Sequence, residues 1–276
     1  MKLIFKIFLI LTIISGGVLS AQETTTGDGI IHDPAAKNNV LIIPFETKMY
    51  FSDIDKDLSH KNEMNFHEIK AMFRAELDKN LFISLKEYFN PLSFYTMEQD
   101  VVQKELTYIY SSIGYKYQII EPEVVEKETP AKKLFNKIKP KEKEKEKEPQ
   151  EATIQNGEIV SEVDNREKFM NAVITNENLI PNLNKTYEAT YYVFINQLDI
   201  KKSADDAYKA AEHQYKREIK VHYTIINSNT KEVSSGAIIS RFNSNENDIN
   251  KIVNIHFPMI AETITKKLIA PTLQAE

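Results

Sequence analysis

The sequence predicts an α/β (α+β) fold in which helices pack on a single mixed sheet, interrupted by a long disordered charged insertion. Segments with strand-like apolar spacing alternate with segments whose apolar residues recur every three or four positions, as on one helix face. A charged stretch at residues 121–151 separates two groups of these segments. Hydrophobic residues fill 42% of the 276 positions, which is enough to bury a substantial core.

The first group of segments, residues 39–120, begins with an apolar run. Residues 40–43 are apolar without interruption and are followed by Pro44, a pattern typical of a central strand buried on both faces. Residues 66–85 carry apolar side chains at helical spacing, and Asn65 with Glu68 forms a capping-box pattern at the start of this helix. The following "LSFY" is predicted to be a short strand.

A second helix is predicted next in this group. Thr96 with Gln99 forms another capping-box pattern before an apolar stripe. Gly114 suits the end of the helix, because glycine readily adopts the left-handed conformation found there. Residues 115–120, "YKYQII", then read as a strand.

The second group, residues 152–270, is predicted to be mostly β. A helical piece is expected near residues 166–173, followed by the β-rich run "YEATYYVFINQLDI". Residues 201–215 are compatible with either a loop or a short helix. Residues 219–225 alternate between apolar and polar, and the turn "NSNT" leads into a returning strand, so a hairpin is predicted. The last helix covers residues 249–268, and Pro258 is expected to kink it.

The stretch at residues 121–151 differs from both groups. It contains nine Lys, nine Glu and four Pro, and its Lys-Glu alternation cancels the local charge. Such a composition buries too little apolar surface to offset the entropy of ordering, which predicts disorder. Either group alone would leave apolar faces uncovered. We therefore expect one domain, residues 39–270, assembled from residues 39–120 and 152–270 with the charged stretch looping out.

The N-terminus has the pattern of a secretory signal peptide at residues 1–21. Lys2 and Lys6 border the start of a short apolar run, and the small residues Ser20 and Ala21 offer a cleavage point. Residues 22–38 read as a flexible leader. The protein is expected to be periplasmic, with an extracellular location left open, and not to be stably inserted in a membrane once the signal is removed. The chain has no cysteine, so disulfides, thiolate metal ligands and a lipid-attachment cysteine are excluded.

Three acidic residues at alternate positions, Asp53, Asp55 and Asp57, are the candidate metal ligands. Their spacing resembles the opening of a calcium-binding loop. That loop needs Gly at its sixth position and Glu at its twelfth, where this sequence has Leu58 and Met64. A solvated acidic loop is therefore favoured over a calcium site.

Two further groups of residues have a functional and a structural interpretation. His67 begins an H-E-x-x-H-like pattern without its second histidine, so a zinc site would need His60 and Glu63 close by. The aromatic residues could form a stacking platform, but such residues more often belong to a core, which is the interpretation favoured here; they are Phe45, Tyr50, Phe51, Tyr191 and Tyr192.

The remaining composition argues against several function classes. The net charge of −5 does not suit nucleic-acid binding. Phosphate-binding glycine loops and the G-x-S-x-G elbow of hydrolases are missing, so no cofactor and no catalytic residue is predicted.

The order of elements resembles the periplasmic domain of the curli-secretion lipoprotein family, and also the lipoprotein activators of penicillin-binding proteins and the N-terminal domain of the Tol-Pal translocation protein B. The resemblance covers residues 39–120 and 185–270. It is carried by Ile43-Pro44-Phe45 at the end of the first strand and by the hairpin "INSNTKEV", in which Lys231 replaces the turn glycine.

The resemblance implies a non-catalytic envelope module that acts through contacts with other envelope proteins. It does not imply a pore, because the stretch "KKSADDAYKAAEHQYKRE" is charged where a pore would need membrane strands. Two alternatives stay open. One is a secreted hydrolase with a site assembled in space, and the other is a calcium-dependent binding protein using Asp53, Asp55 and Asp57.

Overall fold

The computed structural model describes residues 37–120, 153–155, 158–160, 167–203 and 215–272. All of them belong to one compact unit of the chain. The predicted signal peptide, residues 22–36 of the predicted leader and the predicted insertion at residues 121–151 lie outside the described residues.

The described residues form ten strands and five α-helices. The strands are β1 (Asn39–Ile43), β2 (Tyr50–Ser52), β3 (Asn90–Ser93), β4 (Ile113–Ile119), β5 (Thr153–Gln155), β6 (Glu158–Val160), β7 (Lys168–Ile174), β8 (Tyr191–Lys202), β9 (Lys216–Asn227) and β10 (Glu232–Asn243). The helices are α1 (Asp55–Asn62), α2 (Phe66–Leu85), α3 (Gln99–Ser111), α4 (Leu179–Tyr187) and α5 (Ile249–Thr272).

The main sheet has six strands in the order β10-β9-β8-β1-β3, with β2 paired to the far part of β8. Strand β1 runs parallel to β3 and β8, whereas β8, β9 and β10 are antiparallel neighbours. The sheet is therefore mixed, and the predicted fold class is confirmed. Its strands come from both sides of residues 121–151.

Strand β1 occupies the centre that its continuous apolar run predicts. Val40 and Ile42 pack into one core, whereas Leu41 and Ile43 pack into a second core on the opposite face of the sheet. All four side chains are buried, because successive side chains of a strand point to opposite faces and both faces of this sheet are covered.

Helices α2 and α5 cover the first face. The predicted cap of α2 is confirmed: the Asn65 side chain accepts from the backbone N–H of Glu68, whose carboxylate accepts from the Asn65 N–H in return. Phe73 of α2 contacts Phe257 of α5, with ring centroids 5.9 Å apart. Pro258 lies within α5, which continues to Thr272. None of the described helices is long and apolar enough to cross a bilayer.

Helices α3 and α4 and the antiparallel pair β4-β7 cover the second face. The prediction of a helix near residues 166–173 is wrong, because this stretch is strand β7. Its partner β4 is the predicted strand at residues 115–120, which lies outside the main sheet. The second capping box is also wrong: Thr96 lies in a 3-10 turn, and α3 begins after Glu98 without a side-chain cap.

Candidate functional site

Two of the three candidate calcium ligands, Asp55 and Asp57, have their carboxylates engaged by other groups of the protein, and Asp53 is bonded through its backbone. The Asp55 carboxylate accepts from the Tyr50 hydroxyl at 2.6 Å, and the Asp57 carboxylate lies 2.6 Å from the Arg217 guanidinium. Asp53 donates its backbone N–H to Ile200 of β8. In the described part of the chain, no three His, Asp or Glu side chains are grouped so that they could hold a metal ion.

The candidate zinc residues are likewise spread over two helices. His60 lies in the last turn of α1, Glu63 has a left-handed backbone just after it, and His67 lies in the first turn of α2. The aromatic candidates divide as follows: Phe45, Tyr50 and Tyr192 are buried in the core, Tyr191 is half-buried and Phe51 is exposed.

A histidine and an aspartate that no sequence motif indicated lie close together on β8 and β9. His222 Nδ1 accepts from the backbone N–H of Met170 at 2.9 Å, so the imidazole proton resides on Nε2, 3.4 Å from the Asp199 carboxylate. Burial lowers the pKa of His222, which keeps the ring neutral at neutral pH. Burial acts to raise the pKa of Asp199, but the hydrogen bond from His222 and the charge of Lys201 hold it below its usual value.

This pair has a structural role, because it belongs to a row of side chains that closes the outer edge of β7. His222 accepts from Met170, and Thr224 accepts from the N–H of Ala172. The row also donates to two backbone carbonyls, that of Lys168 from Lys220 Nζ and that of Met170 from Asn196 Nδ2. Acceptors two residues apart on β9 thus match N–H groups two residues apart on β7, as the repeat of a strand requires.

Strand β10 forms the opposite kind of edge. It pairs with β9 over its whole length, and no strand of the described chain pairs with its other side. Residues 234–240, "SSGAIIS", carry no charge and no proline, and most of them are only half-buried. Every second residue of such an edge directs its N–H and C=O away from the sheet, where they are free to pair with another chain.

An exposed apolar pair on α5 flanks this edge. His256 Nδ1 lies 2.6 Å from the Ser240 hydroxyl, which places this side of α5 over β10. Met259 lies three residues after His256, and Ile255 lies four residues before Met259. Residues three or four positions apart are neighbours on a helix surface, so Ile255 and Met259 project beside each other and close to His256. Ile255 is 63% exposed and Met259 43% exposed. The free edge of β10 at residues 234–240 and the exposed pair Ile255 and Met259 together form the candidate site.

A second feature is a cavity of about 500 Å³ at the carboxyl end of β1, between the start of the following loop and helices α2 and α3. Arg74 lines it and donates to the Phe45 carbonyl at 2.7 Å and to the Tyr110 and Tyr95 hydroxyls at 2.8 and 3.3 Å. Burial raises the pKa of Tyr110 to about 12, so its hydroxyl stays neutral. One turn further along α2, burial raises the pKa of Asp78 to about 6, although Ser93 and Arg74 act in the opposite direction.

Comparison with known proteins adds little to this geometry. No family model and no curated protein matches the sequence. A solved structure of a hypothetical protein from Chlamydia trachomatis aligns over 86% of this chain and 96% of its own, with 10% sequence identity and a TM-score of 0.32.

Proposed function

We propose that this protein is a non-catalytic, exported protein of the cell envelope that binds an extended segment of a partner protein as an extra strand on β10. The observation that carries the proposal is the uncharged edge at residues 234–240, whose outer side pairs with no strand of the described residues. Strand addition uses the backbone hydrogen bonds of such an edge for affinity and its flanking side chains for specificity.

The contrast with two other strand edges, those of β3 and β7, supports this proposal. Strand β3 has only four residues and contains Pro91, two properties that discourage pairing with another chain. The outer edge of β7 is closed by side chains from β8 and β9. An open edge as long as β10 promotes aggregation unless something covers it. A partner strand would cover it.

The surroundings of β10 indicate the chemistry of the partner segment. Along a strand, alternate side chains point to the same face. Side chains on the α5 face of an added strand would lie beside Ile255 and Met259, which are apolar and exposed. The occupant is therefore an extended segment of another protein with an apolar residue at every second position.

The envelope location is supported by the signal-peptide pattern at residues 1–21 and by the resemblance of residues 39–120 and 185–270 to envelope domains. Partner binding is favoured over hydrolysis because the described part of the chain brings His60 and His67 into no shared site, and His222 lies buried against β7.

The test is a selection of random 12-residue peptides displayed on phage against the folded protein. We expect enrichment of peptides with apolar residues at alternate positions. The double substitution Ile255→Lys and Met259→Lys should weaken binding of a selected peptide about tenfold or more, since each 1.4 kcal/mol lost is tenfold. The matched control is Ile83→Lys with Val101→Lys, residues that are 60% and 44% exposed on α2 and α3.

Amide hydrogen exchange locates the bound peptide. Protection should appear at residues 234–240 and not along β3. Equal binding by the two double variants, or protection elsewhere, would contradict the proposal. Dimerisation of the free protein that is lost in the Ile255→Lys, Met259→Lys variant would show that a second copy, and not a partner segment, occupies the edge.

A further inference from the structure

We propose that the cavity beside Arg74 binds a small polar molecule bearing one carboxylate and several hydrogen-bond donors. The cavity lies where β1 ends, and crevices at the carboxyl ends of parallel strands are common ligand sites in α/β proteins. Its volume of about 500 Å³ is typical of small-molecule sites. The inference is independent of strand addition at β10.

Arg74 supplies the recognition group. Guanidinium has five N–H donors, and three are used by Phe45, Tyr95 and Tyr110. Two donors therefore remain without an acceptor among the described residues. No carboxylate is hydrogen-bonded to this guanidinium in the described chain, although the geometry of the group favours planar, two-pronged binding of a carboxylate.

Arg74 is also held in place before any ligand arrives. The Tyr110 hydroxyl accepts from Arg74 and donates its own proton to the Pro44 carbonyl at 2.7 Å. The guanidinium is thus fixed to the backbone at two successive residues, directly through Phe45 and through Tyr110 to Pro44. A donor that is already oriented loses little conformational entropy when the ligand binds, which favours affinity.

The charges around the cavity select a single negative charge. Its charged lining residues are Arg74, Lys48 and Glu46, so the lining carries one net positive charge. The Lys48 Nζ lies 2.8 Å from a carboxylate oxygen of Glu46, so the charges of these two residues largely neutralise each other. A monoanion suits the single net positive charge of this lining, whereas a phosphate dianion would exceed it; Asp78, which also interacts with the charge of Arg74, lies outside the lining.

The far wall of the cavity requires hydrogen-bond donors on the ligand. Thr107 and Ser111 line it, and their hydroxyls donate to the carbonyls of Gln103 and Tyr108 within α3. Each hydroxyl can therefore offer only acceptor lone pairs to a ligand. Most lining residues carry a polar or charged group, and Leu106 and the Tyr110 ring add apolar surface, so we expect a hydroxylated or amide-bearing monocarboxylate in preference to a fatty acid.

The experiment uses D-glucuronate as the probe, D-glucose as its uncharged counterpart and inorganic phosphate as the competing anion. Glucuronate should raise the melting temperature and shift the Arg74 Nε–H signal in a nitrogen-proton NMR spectrum, whereas glucose should do neither. Stabilisation follows because a ligand that binds only the native state shifts the folding equilibrium toward it.

Two substitutions on α3 provide matched variants that leave Arg74 and its anchors intact. Gln103→Glu places a negative charge in the lining, and Gln99→Glu places the same charge on the same helix outside the lining. Both residues are exposed, so both variants should fold. We expect glucuronate affinity to fall about tenfold or more in Gln103→Glu, corresponding to about 1.4 kcal/mol, and to change little in Gln99→Glu.

Three outcomes would overturn the inference. Glucuronate could leave both the melting temperature and the Arg74 signal unchanged, the two glutamate variants could bind it equally well, or phosphate could shift the Arg74 signal more strongly than glucuronate. Loss of peptide binding at β10 with an intact response to glucuronate would contradict strand addition alone.

Discussion

Strands β7 and β10 are both outermost in their sheets, yet their free edges are treated in opposite ways. Side chains from β8 and β9 satisfy the outward backbone groups of β7. The outer side of β10 has no such row among the described residues, and its sequence at residues 234–240 contains no charge that would repel another strand. Side chains of neighbouring strands can therefore protect the free edge of a strand. The sequence of the edge strand itself does not show whether such protection exists.

The largest expected effect comes from separating the two groups of strands. Residues 39–120 alone would lack β8, the strand that pairs with both β1 and β2, and we expect each half to be insoluble when expressed alone. Deletion of residues 129–149 from the intact chain should leave the melting temperature unchanged, because these residues belong to the predicted disordered insertion. Circular dichroism melts of all three proteins test this, and a soluble, folded half would refute it.

The next largest effect is expected from opening the protected edge. His222→Leu removes the acceptor of the Met170 N–H in a buried site, which should cost about 2–3 kcal/mol in urea unfolding. His256→Leu is the matched control. Its Nδ1 meets only the Ser240 hydroxyl, and the histidine is partly exposed, so a smaller loss is expected. Equal losses would show that the row on β9 does not protect β7.

A substitution next to the short edge strand β3 is expected to stabilise the protein, whereas opening the edge of β7 is expected to destabilise it. Ser93 of β3 donates to the buried Asp78, whose pKa is raised to about 6 by burial. The native state therefore binds this proton more tightly than the unfolded chain, and stability should rise as the pH falls from about 6 toward 4. Asp78→Asn should add on the order of 1 kcal/mol at pH 7.5 and little at pH 4. If Asp78→Asn is less stable than the wild type at pH 7.5, the attraction between the Asp78 carboxylate and Arg74 stabilises the fold by more than the burial of that charge destabilises it.

The smallest effect is the pH dependence of the closed edge. Burial lowers the pKa of His222, so the unfolded chain binds this proton more readily than the native state does. Stability contributed by the neutral ring is present above pH 6.5 and is lost as the pH falls, by at most about 1.4 kcal/mol per pH unit. His222→Asn keeps an acceptor near Nδ1 but cannot titrate. Urea unfolding of both proteins between pH 7.5 and 5 should show a steeper loss in the wild type.

Local patterns predicted the parts of the fold that depend on local physics. The continuous apolar run of residues 40–43 and the alternation of residues 219–225 both correspond to strands, and Asn65 with Glu68 caps α2 as expected. The sequence pattern near residues 166–173 predicts a helix. This stretch forms a strand because its backbone is held by side chains some 50 positions away on β9, which no local pattern contains.

The candidate sites were harder to predict for the same reason. The acidic residues at 53, 55 and 57 stood out by spacing, but Asp57 meets Arg217, a partner 160 positions away. Arg74 belongs to no motif, and its position in the cavity follows from two distant contacts, with the Phe45 carbonyl after β1 and with the Tyr110 hydroxyl of α3. The open edge could have been suspected from the uncharged "SSGAIIS", but only the sheet order shows that this strand is outermost.

The place of β8 between β1 and β9 has a consequence for the time course of folding. Val40 pairs with Tyr191, about 150 positions later, so the centre of the sheet closes a very long loop. Contacts of such high sequence separation form slowly, and a chain emerging from the ribosome at about 5–20 residues per second makes β1 many seconds before β8 exists. During that interval β3 is the one described neighbour strand of β1 that has already been synthesised, so a chaperone has the longest time to bind the apolar residues 40–43.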